Sequence, residues 1–244
     1  MRLPPPVTVD LQAPTLDYFK RRVGQSMFDT YAGIPLLKFP EDLRTYEHLL
    51  WYGNVEVVLE LGTQNGGSAL WFRDRLRTLA SYGRIRAPLV IGVDLDTSQA
   101  QAQLSEVDSR YEDQIALVAG DLLDPALVER VRGLVPPGAS CLVIDDSAHT
   151  HETTAAALRG FASLVKPGGF FVVEDGCVDI EEMRIHPDWP RGVLPAIREW
   201  LSTPEGSLFQ QRRDLELYGI SCHPGGFLQR RTQTSAPPAE PAQP

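Results

Sequence analysis

Residues 55–70 read VEVVLELGTQNGGSAL. The first eight are a short apolar run closing on Gly62, the pattern of a strand buried on both faces of a parallel sheet. The glycines that follow let the chain turn sharply, and helical spacing takes over across 68–80. Outward from this unit the pattern recurs. PLVIGVDLD (88–96) leads to a helix near 97–110, and QIALVAGD (114–121) to one over about 125–133. ASCLVIDD (139–146) leads to a helix at 152–164, and KPGGFFVVEDG (166–176) is a turn and a fifth strand. Strands alternating with helices imply βαβ units and a mostly parallel α/β sheet. Right-handed crossovers then place every C-terminal strand end on one face, where open α/β sheets bind ligands.

Upstream, TLDYFKRRVGQSMFDTY (15–31) reads as an amphipathic helix capped by Thr15. Pro40 with Glu41 and Asp42 suits a second helix start, with Leu43, Tyr46, Leu49 and Leu50 at helical spacing. The expected helical extension covers 15–52. Downstream, 177–200 is irregular and leads into a helix near 193–202. DLELYGIS and GGFLQRR, separated by Cys222, His223 and Pro224, read as a closing hairpin. The expected fold is therefore Rossmann-like: one domain over 15–231, with a mostly parallel seven-stranded sheet ending in an antiparallel hairpin, as in class I methyltransferases. Residues 1–14 are Pro-rich and expected to be irregular. The low-complexity tail 232–244 is expected to be disordered.

The net charge of −9 argues against nucleic acid, whose binders carry a basic stripe. No apolar run approaches the roughly 20 residues that span a bilayer. The N-terminus has no secretory h-region, so a cytoplasmic protein is expected. The three cysteines, Cys141, Cys177 and Cys222, are odd in number and lack paired spacing, which argues against a disulfide framework or a zinc site.

Acids stand at the strand ends: Glu60, Asp94, Asp121, Asp145 with Asp146, and Glu174 with Asp175. Buried acids are costly unless something pairs with them, and a ligand or metal would do so. The turn after the first strand has G-x-x-x-G-G spacing, not the G-x-G-x-x-G of dinucleotide sites. Glu60 ahead of it suits a cationic ligand, the ammonium and sulfonium end of S-adenosylmethionine. Gly62, Thr63, Gly66 and Ser68 would then form the cofactor turn, and Asp94 would accept the ribose hydroxyls. Asp121 lies near the adenine or caps the next helix. Asp145, Glu174 and Asp175 could hold Mg²⁺, a cation that takes oxygen ligands and would lower the pKa of an acceptor hydroxyl. His149 is the candidate base, with Asp146 the alternative.

These residues also carry a resemblance. AGIPLLKFPEDLRTYEHLLW…VLELGTQNGGSALW from Ala32 to Trp71, IDDSAHTHETT, KPGGFFVVEDG and HPGGFLQR together resemble the cephalosporin hydroxylase family, which includes rhamnosyl O-methyltransferases. The resemblance covers roughly 30–230. It implies a class I methyltransferase fold with a Mg²⁺–carboxylate site beside the cofactor. It places Glu60, Gly62 and Asp94 in the cofactor motifs, and Asp145, Glu174 and Asp175 at the metal positions. Some relatives have an Asp where this chain has Ala148, which leaves the base, and the choice between Asp145 and Asp146 for the metal, open. The expected reaction is O-methylation of a hydroxyl on a sugar or other small natural product. The competing readings are a non-catalytic partner that binds the same cofactor and an NAD-dependent oxidoreductase. Residues 177–200 are expected to line the acceptor pocket, with His186, Trp189 and Arg191 as contacts. Self-association through the N-terminal helices is a further expectation.

Overall fold

The computed structural model describes residues 14–232. The expectations for 1–13 and for the tail beyond 232 lie outside the described residues.

Two helices and a small hairpin come first. α1 (Thr15–Ser26) begins after Pro14, so Thr15 is its first residue and not its cap. The helix also stops short of the expected 31. Residues 30–35 form instead a hairpin of β1 (Thr30–Tyr31) and β2 (Ile34–Pro35). Ala32 and Gly33 at its tip both have positive φ, 51° and 90°, the requirement of a two-residue type I′ connection. α2 (Pro40–Gly53) has Pro40 in its first turn and buries Tyr46, Leu49 and Leu50, as its spacing predicts.

The Rossmann-like part follows in the expected order: β3 (Val57–Leu61), α3 (Gly67–Ser81), β4 (Leu89–Asp94), α4 (Ser98–Val107), β5 (Ile115–Ala119), α5 (Pro125–Leu134), β6 (Cys141–Asp145), α6 (His151–Phe161), β7 (Phe170–Val173), α7 (Val193–Leu201), β8 (Phe209–Gln211) and β9 (Phe227–Arg230). The seven sheet strands lie in the order β5-β4-β3-β6-β7-β9-β8. β3 to β7 are parallel, and β9 is antiparallel to both β7 and β8. The chain reverses its direction of winding between β3 and β6, which opens a crevice beyond their C-terminal ends.

Side chains alternate across the sheet, so each strand feeds two cores. Val57, Leu59, Leu61, Cys141, Val143 and Val173 pack on the side of α6 and α7. Val58, Leu142, Ile144 and Val172 pack against α2 and α3. The same parity sends Glu60 of β3, and Glu174 just past β7, towards α2 and α3, and Asp145 of β6 towards α6.

The final hairpin is present, but its first strand is 209–211 and not DLELYGIS. Arg213–Leu215 is a 3₁₀ turn, and Leu217 and Tyr218 are exposed. Asp42 of α2 decides this path. It is buried; its Oδ1 accepts from Ser221 Oγ at 2.7 Å and its Oδ2 from the Cys222 amide at 2.9 Å. Asp42→Ala would strand both donors and is expected to cost about 2–3 kcal/mol, the range for hydrogen bonds to a charged group. Urea unfolding checks this, and an unchanged midpoint would show that the loop is held otherwise. Among the described residues no helix is long and apolar enough to cross a membrane.

Candidate active site

A cavity of about 490 Å³ opens at the C-terminal ends of the parallel strands. Gly62, Thr63, Gln64, Asn65 and Ser68 form one wall, and Asp94, Leu95, Asp121 and Leu122 continue it. The turn comes this close because Gly62 has no side chain. Its φ is +100°, and a Cβ there would lie 2.0 Å from the Asp146 carbonyl oxygen. Asp94 fixes the turn: its Oδ2 accepts from the Gln64 amide at 2.8 Å and its Oδ1 from the Leu95 amide at 2.7 Å. Asp121 Oδ1 accepts from the Leu123 amide.

Two residues expected in this wall are not in it. Gly66 sits at the start of α3 with φ +84°, facing Leu104 and Ala100. Glu60 is wholly buried beneath the turn. Its Oε2 accepts from Thr63 Oγ1 at 3.1 Å and from Ser68 Oγ at 2.9 Å. The Thr63 and Ser68 hydroxyls and the Lys38 ammonium cover its carboxylate, so it braces the turn from below.

The opposite wall carries Asp146, His149, Glu174 and Asp175. An Asp146 oxygen, an Asp175 oxygen and a His149 ring nitrogen lie within 4.8 Å of one another. His149 Nε2 is 3.8 Å from Asp146 Oδ1 and 3.5 Å from Asp175 Oδ2. His149 and Asp175 both have φ of 56°. Left-handed backbone in two non-glycine residues costs about 1 kcal/mol or more each and clusters at functional sites. Asp145 is absent from this group. It is buried on the α6 side, accepts from Ser147 Oγ at 2.6 Å, and burial pushes its carboxyl up to about 6. Of the two adjacent aspartates, Asp146 is the one at the cavity.

One residue organises this wall and was not visible in the sequence. Lys38, 2% exposed, enters from the loop before α2. Its ammonium donates to Glu174 Oε1 at 2.7 Å and Asp146 Oδ2 at 2.8 Å, and lies 3.3 Å from Glu60 Oε1. Burial works against this charge, but Asp146, Glu174 and Glu60 outweigh burial and hold its pKa well above the lysine value. Burial also opposes the Glu174 charge, but the Lys38 ammonium prevails and brings it down to about 2. Asp146 moves the other way: burial and the Glu174 charge hold it well above the carboxylate range, against the pull of Lys38.

Tyr46 OH also donates to Glu174 Oε1, at 2.5 Å. His223 is buried beside it and accepts the Asp175 amide at Nδ1 (3.0 Å). That bond fixes the tautomer with the proton on Nε2, 3.5 Å from Asp42 and 3.7 Å from Glu174. No local pattern marks Lys38, Tyr46 or His223, because the partners their side chains hydrogen-bond are more than 45 residues away in the chain.

Of the expected acceptor contacts, only Trp189 reaches the cavity. His186 packs on its ring at 5.3 Å, and Arg191 pairs with Glu181 outside. Arg184, largely buried, holds this loop through the carbonyls of Val178, Pro187 and Trp189.

Residues 25–231 match the rhamnosyl O-methyltransferase/CmcI family. The chain belongs to that family. Its members are S-adenosylmethionine-dependent O-methyltransferases, and this chain is an enzyme of that class. The chain is 25% identical to a rhamnosyl O-methyltransferase of Mycobacterium leprae (strain TN) over 226 residues, 88% of this chain and 90% of that one. A solved apo structure, CmcI-N160, is 26% identical with a TM-score of 0.60 over 95% of this chain and 90% of that chain. A second, CmcI-D160 with Mg and S-adenosylmethionine, has a TM-score of 0.62 at 24% identity, covering 94% and 90%, and shares the fold. The oxidoreductase and non-catalytic readings are set aside on family membership.

Proposed function

We propose that this member of the family methylates a hydroxyl of a small-molecule acceptor, a sugar or another natural product, with help from a divalent cation held at Asp146 and Asp175. The observation that carries this reading is the convergence of two walls on one cavity. One wall is a glycine turn with Asp94, and the other is a carboxylate–histidine cluster.

On the first wall, the Gly62 turn and Gln64 present backbone to the cofactor. Asp94 keeps unused lone pairs on both oxygens for the ribose hydroxyls, and Asp121 lies farther along for the adenine end. S-adenosylmethionine supplies an electrophilic methyl group on sulfur.

The second wall fits a hard cation. Asp146 and Asp175 offer carboxylate oxygens, which Mg²⁺ prefers, and this region has more carboxylates than its single ammonium can balance. Glu60 Oε1, which makes no hydrogen bond and has only the shared Lys38 ammonium 3.3 Å away, is a sign of that surplus. Mg²⁺ would act as a Lewis acid on the acceptor oxygen. Glu174, held by Lys38 and Tyr46, completes the negative field beside it. Because the cation takes oxygens, His149 Nε2 remains free to receive the hydroxyl proton as the methyl group transfers. The carboxylates of Asp146 and Asp175, 3.8 and 3.5 Å from that Nε2, would stabilise the imidazolium so formed. Trp189, with Val178 and Pro190, gives the acceptor an apolar wall.

Calorimetry with S-adenosylhomocysteine, with and without Mg²⁺, tests this. Asp94→Ala is expected to weaken cofactor-product binding at least about tenfold, from losing hydrogen bonds to a charged acceptor. Asp146→Asn should remove Mg²⁺ binding while sparing S-adenosylhomocysteine. If S-adenosylhomocysteine fails to bind in both conditions, the assignment of the first wall is wrong. If Mg²⁺ binds Asp146→Asn as it binds the unaltered enzyme, the assignment of the second wall is wrong.

A further inference from the structure

Two cysteines that the sequence keeps far apart meet at the cavity. Cys177 lies in the 3₁₀ turn Gly176–Asp179 directly after Asp175, and Cys222 lies in the loop before β9. Both are buried, yet both line the cavity, so a small ion can reach them from it. With an Asp175 oxygen, their sulfurs form a set of three donors within 4.8 Å of one another.

We propose that Asp175, Cys177 and Cys222 form a second cation site, suited to a thiophilic divalent ion such as Zn²⁺, and that this ion competes with the hard cation for Asp175. The donor set argues for it: two sulfurs and one carboxylate suit zinc and its neighbours, whereas magnesium takes oxygen. The spacing argues for it as well. Ligands about 2.0–2.3 Å from a tetrahedral ion lie roughly 3–4 Å apart, so the donors need close by at most about 1–2 Å.

The cradle is also fixed in place. The Cys177 amide donates to the Cys222 carbonyl at 3.1 Å, and the Asp175 amide donates to His223 Nδ1 at 3.0 Å. Two chain segments are thereby held in register before any ion arrives, the support a metal site needs. Each thiol that ligates gives its proton to solvent, and the fourth position faces the cavity and is left to water. The competition rests on the reading of Asp175 as a ligand of the hard cation; the thiol site does not.

The test is titration of the reduced, metal-free full chain with Co²⁺ alone. A near-ultraviolet thiolate-to-cobalt charge-transfer band is expected, which Zn²⁺ should abolish and which Mg²⁺ should shift to higher Co²⁺ concentration without abolishing. Cys177→Ser and Cys222→Ser should each remove the band, and Asp146→Asn should keep it. Zn²⁺ should protect both thiols of the unaltered chain from N-ethylmaleimide, read by mass spectrometry, which needs no variant to fold. No band, a band that survives the double cysteine variant, or thiols alkylated equally with and without Zn²⁺ would overturn the site. Saturating Zn²⁺ is expected to weaken Mg²⁺ binding at least about tenfold, and an unchanged Mg²⁺ affinity would refute the competition. Failure of Mg²⁺ to bind at all would count against the carboxylate site and leave the cobalt result standing.

Discussion

Lys38→Met is expected to destabilise the fold by about 3–5 kcal/mol, the cost of breaking a buried ion pair by removing one partner. Methionine fills similar space, so the loss is of charge and not of volume. Three carboxylates then face one another without a cation. Glu60 Oε1 keeps no partner at all, Glu174 Oε1 keeps only Tyr46, and Asp146 Oδ2 faces Glu174. Urea unfolding followed by tryptophan fluorescence measures the loss. Adding Glu60→Gln and Glu174→Gln to Lys38→Met is expected to restore part of it, because the stranded charges are then gone. A single variant as stable as the unaltered protein would show that these acids are neutralised some other way. So would a triple variant no more stable than the single one.

The second large effect is expected from Gly62→Val. The new Cβ would fall 2.0 Å from the carbonyl oxygen and 2.6 Å from the carbonyl carbon of Asp146, both backbone atoms with no freedom to swing aside. The backbone itself is at φ +100°, which a β-branched residue tolerates poorly. Together these are expected to cost about 3 kcal/mol or more, lowering Tm by roughly 6–12 °C for a domain of this size. Cofactor binding should be lost with it, since the ends of β3 and β6 must part. Gly83→Ala separates the two causes: Gly83 has φ +70° but open space around it. It should show only the backbone cost, about 1 kcal/mol. Equal losses at the two positions would mean that the clash with Asp146 contributes nothing.

Much of the site was legible in the chain. The turn at Gly62–Ser68, Asp94 at the end of β4, and the acids after β6 and β7 stand at the expected strand ends. Alternation along the strands also carried a signal that separates Asp145 from Asp146. Cys141 and Val143 face the α6 side, so Asp145 does too, while Asp146 follows Leu142 and Ile144. The N-terminal hairpin was less visible, because Ala32 occupies a left-handed position that glycine or asparagine would have advertised. The first strand of the C-terminal hairpin was misplaced because Asp42, far upstream, captures Ser221 and Cys222.

The sequence by itself determined the α/β class, the order of elements and the strand ends at which chemistry gathers. These follow from local periodicity and turn residues, which act over a few positions. Only the tertiary structure decided which carboxylates share a cavity, that Lys38 is their internal cation, that His223 props Asp175, and that Cys177 and Cys222 are neighbours. Those facts depend on burial and charge between segments brought together by the sheet. A lysine or a cysteine looks the same along the chain whether it ends in water or against three acids.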